Sequence, residues 1–542
     1  MKSIHDFIPD KWSYQTRRLL VLFLLLLSSS CNLPNQDAPV FIAPSGLQSL
    51  SINTTADVVD VPPTDVPETA TPTSVQVSTS LSTPTPPVYP TITVEATATP
   101  RPVNDGPLLY YAQAGDTLDA LAMRFGVDVD QIQSSETIPE RGFINPNHLI
   151  LIPQQFTNTT NSTHLLPDSE LVNSLSSVGF DSSAFTAQAG GYLKHYHEYF
   201  GISGESYGGQ IVGLIGLDNS INPRLLLALL EYQSGWVYGQ PASLAAADYP
   251  LGKIELTQKG LVHQLKWAVN QLSVGYYGWR EGRLNKIVFS DGVSAYLAPD
   301  LNAGTAALHY YFAQVYDSQR WLQAVDPDTG FIALYEEMFG NPWTRARDIE
   351  PLFPADLTQT DLSLPFLIGP IWSYTGGPHG AWEKDGSWAA IDFAPASTQS
   401  GCVESDAWVT ASASGVVVRS ERGIVVLDLD GDGLEQTGWV LIYLHITKNG
   451  RVPVGEIVAA GDLIGHPSCE GGYATGTHVH IARKYNGEWM EADGPIPFVL
   501  EGWQVHAGLA PYKGTLTRGD DIVTANQFGS YISKITRDRA DE

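Results

Sequence analysis

Five residues in the last third of the chain could do chemistry together: His379, Asp392, His445, His478 and His480. In "GTHVHIARKY" two imidazoles stand two apart, so on a strand His478 and His480 project from one face. "WVLIYLHI" supplies His445, on the strand face of Tyr443. The stretch "GPHGAWEKDGSWAAIDFAPAS" supplies His379 and, after twelve intervening residues, Asp392, with Glu383 and Asp385 as rival carboxylates between them. Imidazoles gathered on neighbouring strands are costly to bury unless they are hydrogen-bonded or bound to metal. A catalytic zinc site needs three protein ligands and an open fourth position for water. Hydrolysis at such a site gains from further imidazoles that move a proton or stabilise an oxyanion.

The elements that must position these residues can be read from the surrounding pattern. After about Pro365 the chain runs in short segments bounded by Gly and Pro, such as "GIVVLDLD", "GWVLIYLHI" and "THVHIARKY", which predicts an antiparallel β domain over residues 365–510 and a tail over 511–542. "DLDGDGLEQTGW" places Asp428, Asp430 and Asp432 before Gly433, as in the first half of a calcium loop. No Glu closes the loop at its twelfth position, so an acidic hairpin is the reading and Ca2+ the secondary one. Upstream, residues 156–350 read as mainly helical, with Asn222-Pro223 setting a helix start and Leu225 to Leu230 its buried face. Between 107 and 155 a strand, a helix capped by Asp116 or Thr117 and stopped by Gly126, a second short helix near Val129 to Ser134 and a closing strand predict a βααβ unit.

The β-domain motifs carry a resemblance. "YLHI", the hairpin "VPVGEIVAAGDLIGH" and the closing "GTHVHI" resemble, in order and context, the lysostaphin/LytM-type zinc endopeptidases, over about Leu367 to Ala507. That resemblance implies Zn2+ held by His379, Asp392 and His480, with His445 and His478 beside the open position, and hydrolysis of amide bonds in the peptide part of peptidoglycan. The chain departs from the family in separating His379 from Asp392 by twelve residues where the family has three. "IDFAPAS" keeps the family context around the Asp, so Asp392 is preferred to Glu383. A degenerate, noncatalytic wall-binding or regulatory protein is the competing class, and it would be expected to lack one or more of the five residues.

Two other resemblances lie upstream. "GDTL" with a closing "LILIP" resembles the LysM domain, which implies binding of N-acetylglucosamine-containing glycan such as peptidoglycan, with Gly115, Asp116 and Thr117 as candidate contacts. "NPRLLLALLEYQSGW" resembles the catalytic helix of lysozyme-like lytic transglycosylases. Gln233 stands where the general acid would be, and an amide has no proton to donate, so a noncatalytic lysozyme-like block is expected.

The N-terminus reads as an address. Arg17 and Arg18, the apolar run Leu19 to Leu27 and small residues before Cys31 form an export signal over 1–31, resembling a lipobox with Cys31 as the lipidation site. Residues 32–106, dominated by Pro, Thr, Ser and Val, read as a disordered tether. Cys402 and Cys469 in an exported chain predict a disulfide, worth about 4 kcal/mol in the chain-entropy model. With 58 acidic against 30 basic residues and a net charge of −28, the chain opposes nonspecific binding to nucleic acid or anionic lipid. Membrane contact is therefore expected only through the N-terminal anchor.

Overall fold

Runs such as "IVVLD" and "WVLIYL" are apolar at nearly every position, and each forms a strand buried on both faces. In the computed structural model the described residues are 107–538 apart from 154, 155, 157 and 355. The export signal, Cys31 and the tether lie outside them. Among the described residues no helix is long and apolar enough to cross a membrane.

The main antiparallel sheet runs Ile457–Val458, Gly415–Glu421, Ile424–Asp428, Trp439–Leu444, Val479–Tyr485, Ala390–Pro395, Ile371–His379 and Lys534–Thr536. Alternate residues of its strands enter two different cores. Val425, Leu427, Leu441, Tyr443 and Ile481 pack with Leu500, Val505, Leu516 and Val523, which come from a second, four-stranded sheet over Val499–Thr524. Ile424, Val426, Val440, Ile442 and Ala482 pack instead with the helical block. The sheet is thus the middle layer between strands and helices. Residues 511–537, expected as a tail, are folded: Gly514–Arg518 and Asp521–Thr524 extend the second sheet, and Lys534–Thr536 pairs with the Ile371–His379 edge.

The helical block centres on Gly208–Asn219, Pro223–Ser234, Leu261–Arg280 and Ala303–Val315. Pro223 stands in the first turn of its helix, Asn222 accepts from the Arg224 N–H as the cap, and Gly235 closes it in the left-handed conformation. Leu225 to Leu230 are all buried, so this helix is the block's centre rather than a surface helix with one buried face. A small hairpin, His197–Tyr199 with Glu205–Tyr207, projects from the block.

The 107–153 module keeps the predicted outline. Leu108–Tyr111 pairs with Leu149–Ile152, and Thr117 caps the Leu118–Phe125 helix. The second helix is only a 3-10 turn, Val129–Gln131, because the chain then turns extended to pair Gln133–Ser134 with Leu149–Ile152. These described regions belong to one compact unit. Arg280 joins three of them: it bonds the Asp168 carboxylate at 2.9 Å, the Glu488 carboxylate at 3.0 Å and the Ala114 carbonyl. Cys402 and Cys469 form the expected disulfide.

Candidate metal centre

Antiparallel pairing brings the split ligands together. His379 ends its strand and stands opposite Ala390, while Asp392 lies between Gly376 on one neighbour and His480 on the other. The residues between them form a hairpin loop, 380–389, so the long spacing costs nothing in geometry. Glycine is required at 376, because a Cβ there would lie 2.3 Å from Asp392 Oδ2. His445 sits just past the Trp439–Leu444 strand in the left-handed conformation, φ 66°. A non-glycine residue is strained there. The turn takes His445 off the strand, away from the face of Tyr443. Tyr443 points into the other core and accepts from the Ser412 N–H.

Hydrogen bonds assign each imidazole its tautomer, since a ring nitrogen facing a carbonyl can only donate. His379 donates through Nδ1 to Gly377 O at 2.8 Å and therefore carries its lone pair on Nε2. His480 donates through Nε2 to Ala381 O at 3.0 Å and carries its lone pair on Nδ1. Those two bare nitrogens are 3.1 Å apart. Asp392 Oδ1 lies 3.4 Å from the first and 3.3 Å from the second, buried and with no hydrogen-bond partner. Three acceptors converging in a buried spot without a proton to share repel one another, and a cation removes the conflict. The donor set of two imidazoles and one carboxylate suits Zn2+. His379, Asp392 and His480 form such a group; Glu383 does not belong to it.

Electrostatics agree with this placement. Burial alone would raise the Asp392 pKa, but the flanking His379 and His478 hold it well below the usual carboxylate range. Burial opposes protonation of His379, yet the carboxylate beside it raises its pKa overall. At His480 burial prevails and the pKa is lowered. His445 is pushed down to about 3 by burial, with the neighbouring His478 and His480 adding to the effect.

The other two imidazoles stand beside the ligands. His445 donates through Nδ1 to Glu470 O at 2.8 Å and His478 through Nδ1 to Gly476 O at 2.7 Å. Their ring centroids are 4.4 Å apart, and His478 Nε2 is 3.7 Å from Asp392 Oδ1. Each therefore keeps a bare Nε2 able to accept a proton. The cluster opens on a cleft of about 2460 Å³ lined by both the β domain and the helical block.

Sequence reasoning missed two parts of this site. Tyr512 stacks on the His379 ring at 4.1 Å, from beyond the expected domain end, where no motif marks it. Tyr199, His263 and Lys266 of the helical block also line the cleft. Their signal was indirect: strands apolar on both faces need a cover on each.

Other expected residues have structural duties. Gly115 and Asp116 are buried, with Asp116 bonded to Tyr110, the Gln113 N–H and Arg124, and Gly115 covered by Arg280. Neither presents itself to a glycan, and Thr117 uses its hydroxyl as a helix cap. Gln233 accepts from Tyr316 at 2.6 Å, and Glu231 caps the Val237 and Tyr238 N–H groups. Asp428, Asp430 and Asp432 converge in the loop joining Ile424–Asp428 to Trp439–Leu444, where Asp428 accepts three backbone N–H groups. His466 bonds Ala407 O and His506 bonds Thr517, both away from the cluster.

Comparison with known proteins agrees in both halves. The family described as "LasA, N-terminal domain" matches residues 164–354, a kinship that the pattern around Gln233 does not reveal. Protease LasA of Pseudomonas aeruginosa is 26% identical over 314 residues, 55% of this chain and 70% of that protein. The beta-lytic metalloendopeptidase of Achromobacter lyticus is 25% identical over 164 residues, 29% of this chain and 41% of that protein. Among solved structures, the M23 metalloprotease pseudoalterin from the deep sea is similar at 22% identity with a TM-score of 0.28, covering 33% of this chain and 100% of that one. The catalytic domain of lysostaphin from Staphylococcus simulans is 26% identical with a TM-score of 0.17, covering 22% of this chain and 87% of that one. With a His379/Asp392/His480 zinc site on an antiparallel sheet and these relatives, the chain is a zinc metallopeptidase of the M23 family, LasA- and lysostaphin-like.

Proposed function

We propose that the chain is an extracytoplasmic endopeptidase that hydrolyses amide bonds in the peptide part of peptidoglycan. The observation that carries this reading is the buried His379/Asp392/His480 acceptor cluster with two further imidazoles, His445 and His478, at its side. His379 Nε2, Asp392 Oδ1 and His480 Nδ1 would hold the zinc ion. Zinc supplies Lewis-acid polarisation of the scissile carbonyl and a more acidic water. The bare Nε2 atoms of His445 and His478 accept the proton of the attacking water, return it to the departing amine and donate to the developing oxyanion. No carboxylate base is required for this division of labour.

Relatives named as a beta-lytic metalloendopeptidase and an antimicrobial peptidase support a cell-wall substrate. The signal-like N-terminus supports export with anchoring at Cys31. The LysM-like outline of 107–153 supports glycan targeting, which would raise the local substrate concentration. With Gly115 and Asp116 buried, any such contact uses other parts of that module.

Digestion of purified peptidoglycan with the zinc-loaded chain tests the reading by mass spectrometry of the products. Hydrolysis of the peptide part, with new amine and carboxylate termini, is expected. Release of anhydromuropeptides alone, or no cleavage by protein holding one zinc per chain, would overturn it.

A further inference from the structure

We propose that the helical block is a lasting wall of the catalytic cleft that contacts substrate through Tyr199, His263 and Lys266, and not a cover that must leave. Only the identity of the substrate rests on the peptidase reading above.

Helix geometry supplies the first argument. His263, Lys266, Asn270 and Ser273 lie at i, i+3, i+7 and i+10 of the Leu261–Arg280 helix and so share one face. The later half of this stripe grips the ligand-bearing loop. Asn270 exchanges two hydrogen bonds with Asp385, at 3.0 and 3.2 Å, and a Cβ built on Gly386 would lie 3.1 Å from Ser273 Cβ. That loop carries Ala381, whose carbonyl fixes the tautomer of His480. The earlier half of the stripe, His263 and Lys266, is exposed and faces the cleft. Lys266 has no ion-pair partner within 4.0 Å among the described residues, whatever lies opposite it being left to solvent or ligand. Across the same cleft wall the hairpin offers Tyr199, 74% exposed.

Packing supplies the second. The helical block covers Ile424, Val426, Val440, Ile442, Ala482 and Trp489 of the β domain, each at most 6% exposed. Its departure would bare that whole sheet face, a larger apolar patch than a soluble domain carries without a partner. Asp218 adds ion pairs to Arg419 at 2.6 Å and Arg422 at 2.9 Å.

Openness supplies the third. No hydrogen bond, ion pair or ring contact among the described residues joins a side chain of the helical block to His379, Asp392, His445, His478 or His480. The block borders the site without plugging it. An exposed ammonium and imidazole with a phenol beside them suit a peptide bearing a free carboxylate and an aliphatic or sugar face.

The test uses the full chain and soluble muropeptides released from peptidoglycan by a muramidase. Binding is measured by calorimetry on zinc-depleted protein, and hydrolysis is followed separately with zinc. A disulfide between Ser273→Cys and Gly386→Cys, confirmed on a non-reducing gel, locks the block in place. The locked chain is expected to bind within two-fold of the Ser273→Cys single variant, and Tyr199→Ala with Lys266→Ala to weaken binding about five-fold or more. Lost binding in the locked chain, or unchanged binding in the Tyr199/Lys266 variant, would overturn the wall. Binding as expected without hydrolysis by the zinc-loaded chain leaves the wall standing and defeats the peptidase reading instead.

Discussion

Gly376 and Asp392 face each other across neighbouring strands with no room for a methyl group, since a Cβ on Gly376 would lie 2.3 Å from Asp392 Oδ2. The small residue is therefore part of the metal centre without touching the metal. Gly376→Ala is expected to displace the carboxylate and weaken zinc binding at least about ten-fold, the scale of lost supporting contacts around a metal. Competition with a chromophoric chelator measures it; unchanged affinity with an unaltered melting curve would refute the crowding argument.

Ligand identity can be separated from mere acidity in the 380–389 loop. Asp392→Ala should purify with well under one zinc per chain, whereas Glu383→Ala should keep the full amount, because Glu383 lies outside the converging group. Metal analysis of both proteins decides between them. The reverse result would move the third ligand into the loop.

His445 and His478 make a different pair of variants. Each sits beside the acceptor cluster and not in it, so His445→Ala and His478→Ala should retain zinc while hydrolysis falls by about 10² to 10⁴, the usual contribution of a positioned acid or base. Zinc content and turnover measured on the same preparation check this. Loss of the metal in either variant would make that residue a ligand.

A pH effect is built in where the helical block meets the β domain. Glu491 is raised to about 8 by burial first and by the facing Glu281 next, with Asp493 adding and Arg283 opposing. Its folded pKa lies above its unfolded one, so its contribution to stability is full below about 4.5 and is lost as pH rises toward 8. Glu491→Gln should flatten that loss, leaving a variant whose melting temperature gains on the wild type steadily from pH 5 to 8. Parallel melting curves at all pH values would count against it.

Much of the β domain was legible in the sequence because its strands are short, apolar and separated by Gly and Pro, and because two imidazoles two apart can share a face only on a strand. Asp392 was legible through its context even though the spacing to His379 was unusual, since a hairpin can absorb any number of residues between paired ends. Other features were hidden because they depend on distant partners. His445 was read as a strand residue, and only the left-handed turn after Leu444 takes it off that face. Asp116 looked like a surface loop acid until Tyr110 and Arg124 closed on it. Tyr512 reaches His379 through strands that no local pattern identifies. The Gln233 helix resembled a degenerate glycosidase helix, while the larger fact about its block, that it covers one whole face of the catalytic sheet, is written in the strands it covers.

Arg280 gives this architecture a thermodynamic signature. One buried guanidinium answers to Asp168 in the helical block, Glu488 in the β domain and Ala114 in the N-terminal module, so no module can open without leaving a charge uncompensated in another. Modules that the sequence strings like beads therefore melt as one body, and the calorimetric trace of the intact chain is a single peak that Arg280→Ala splits.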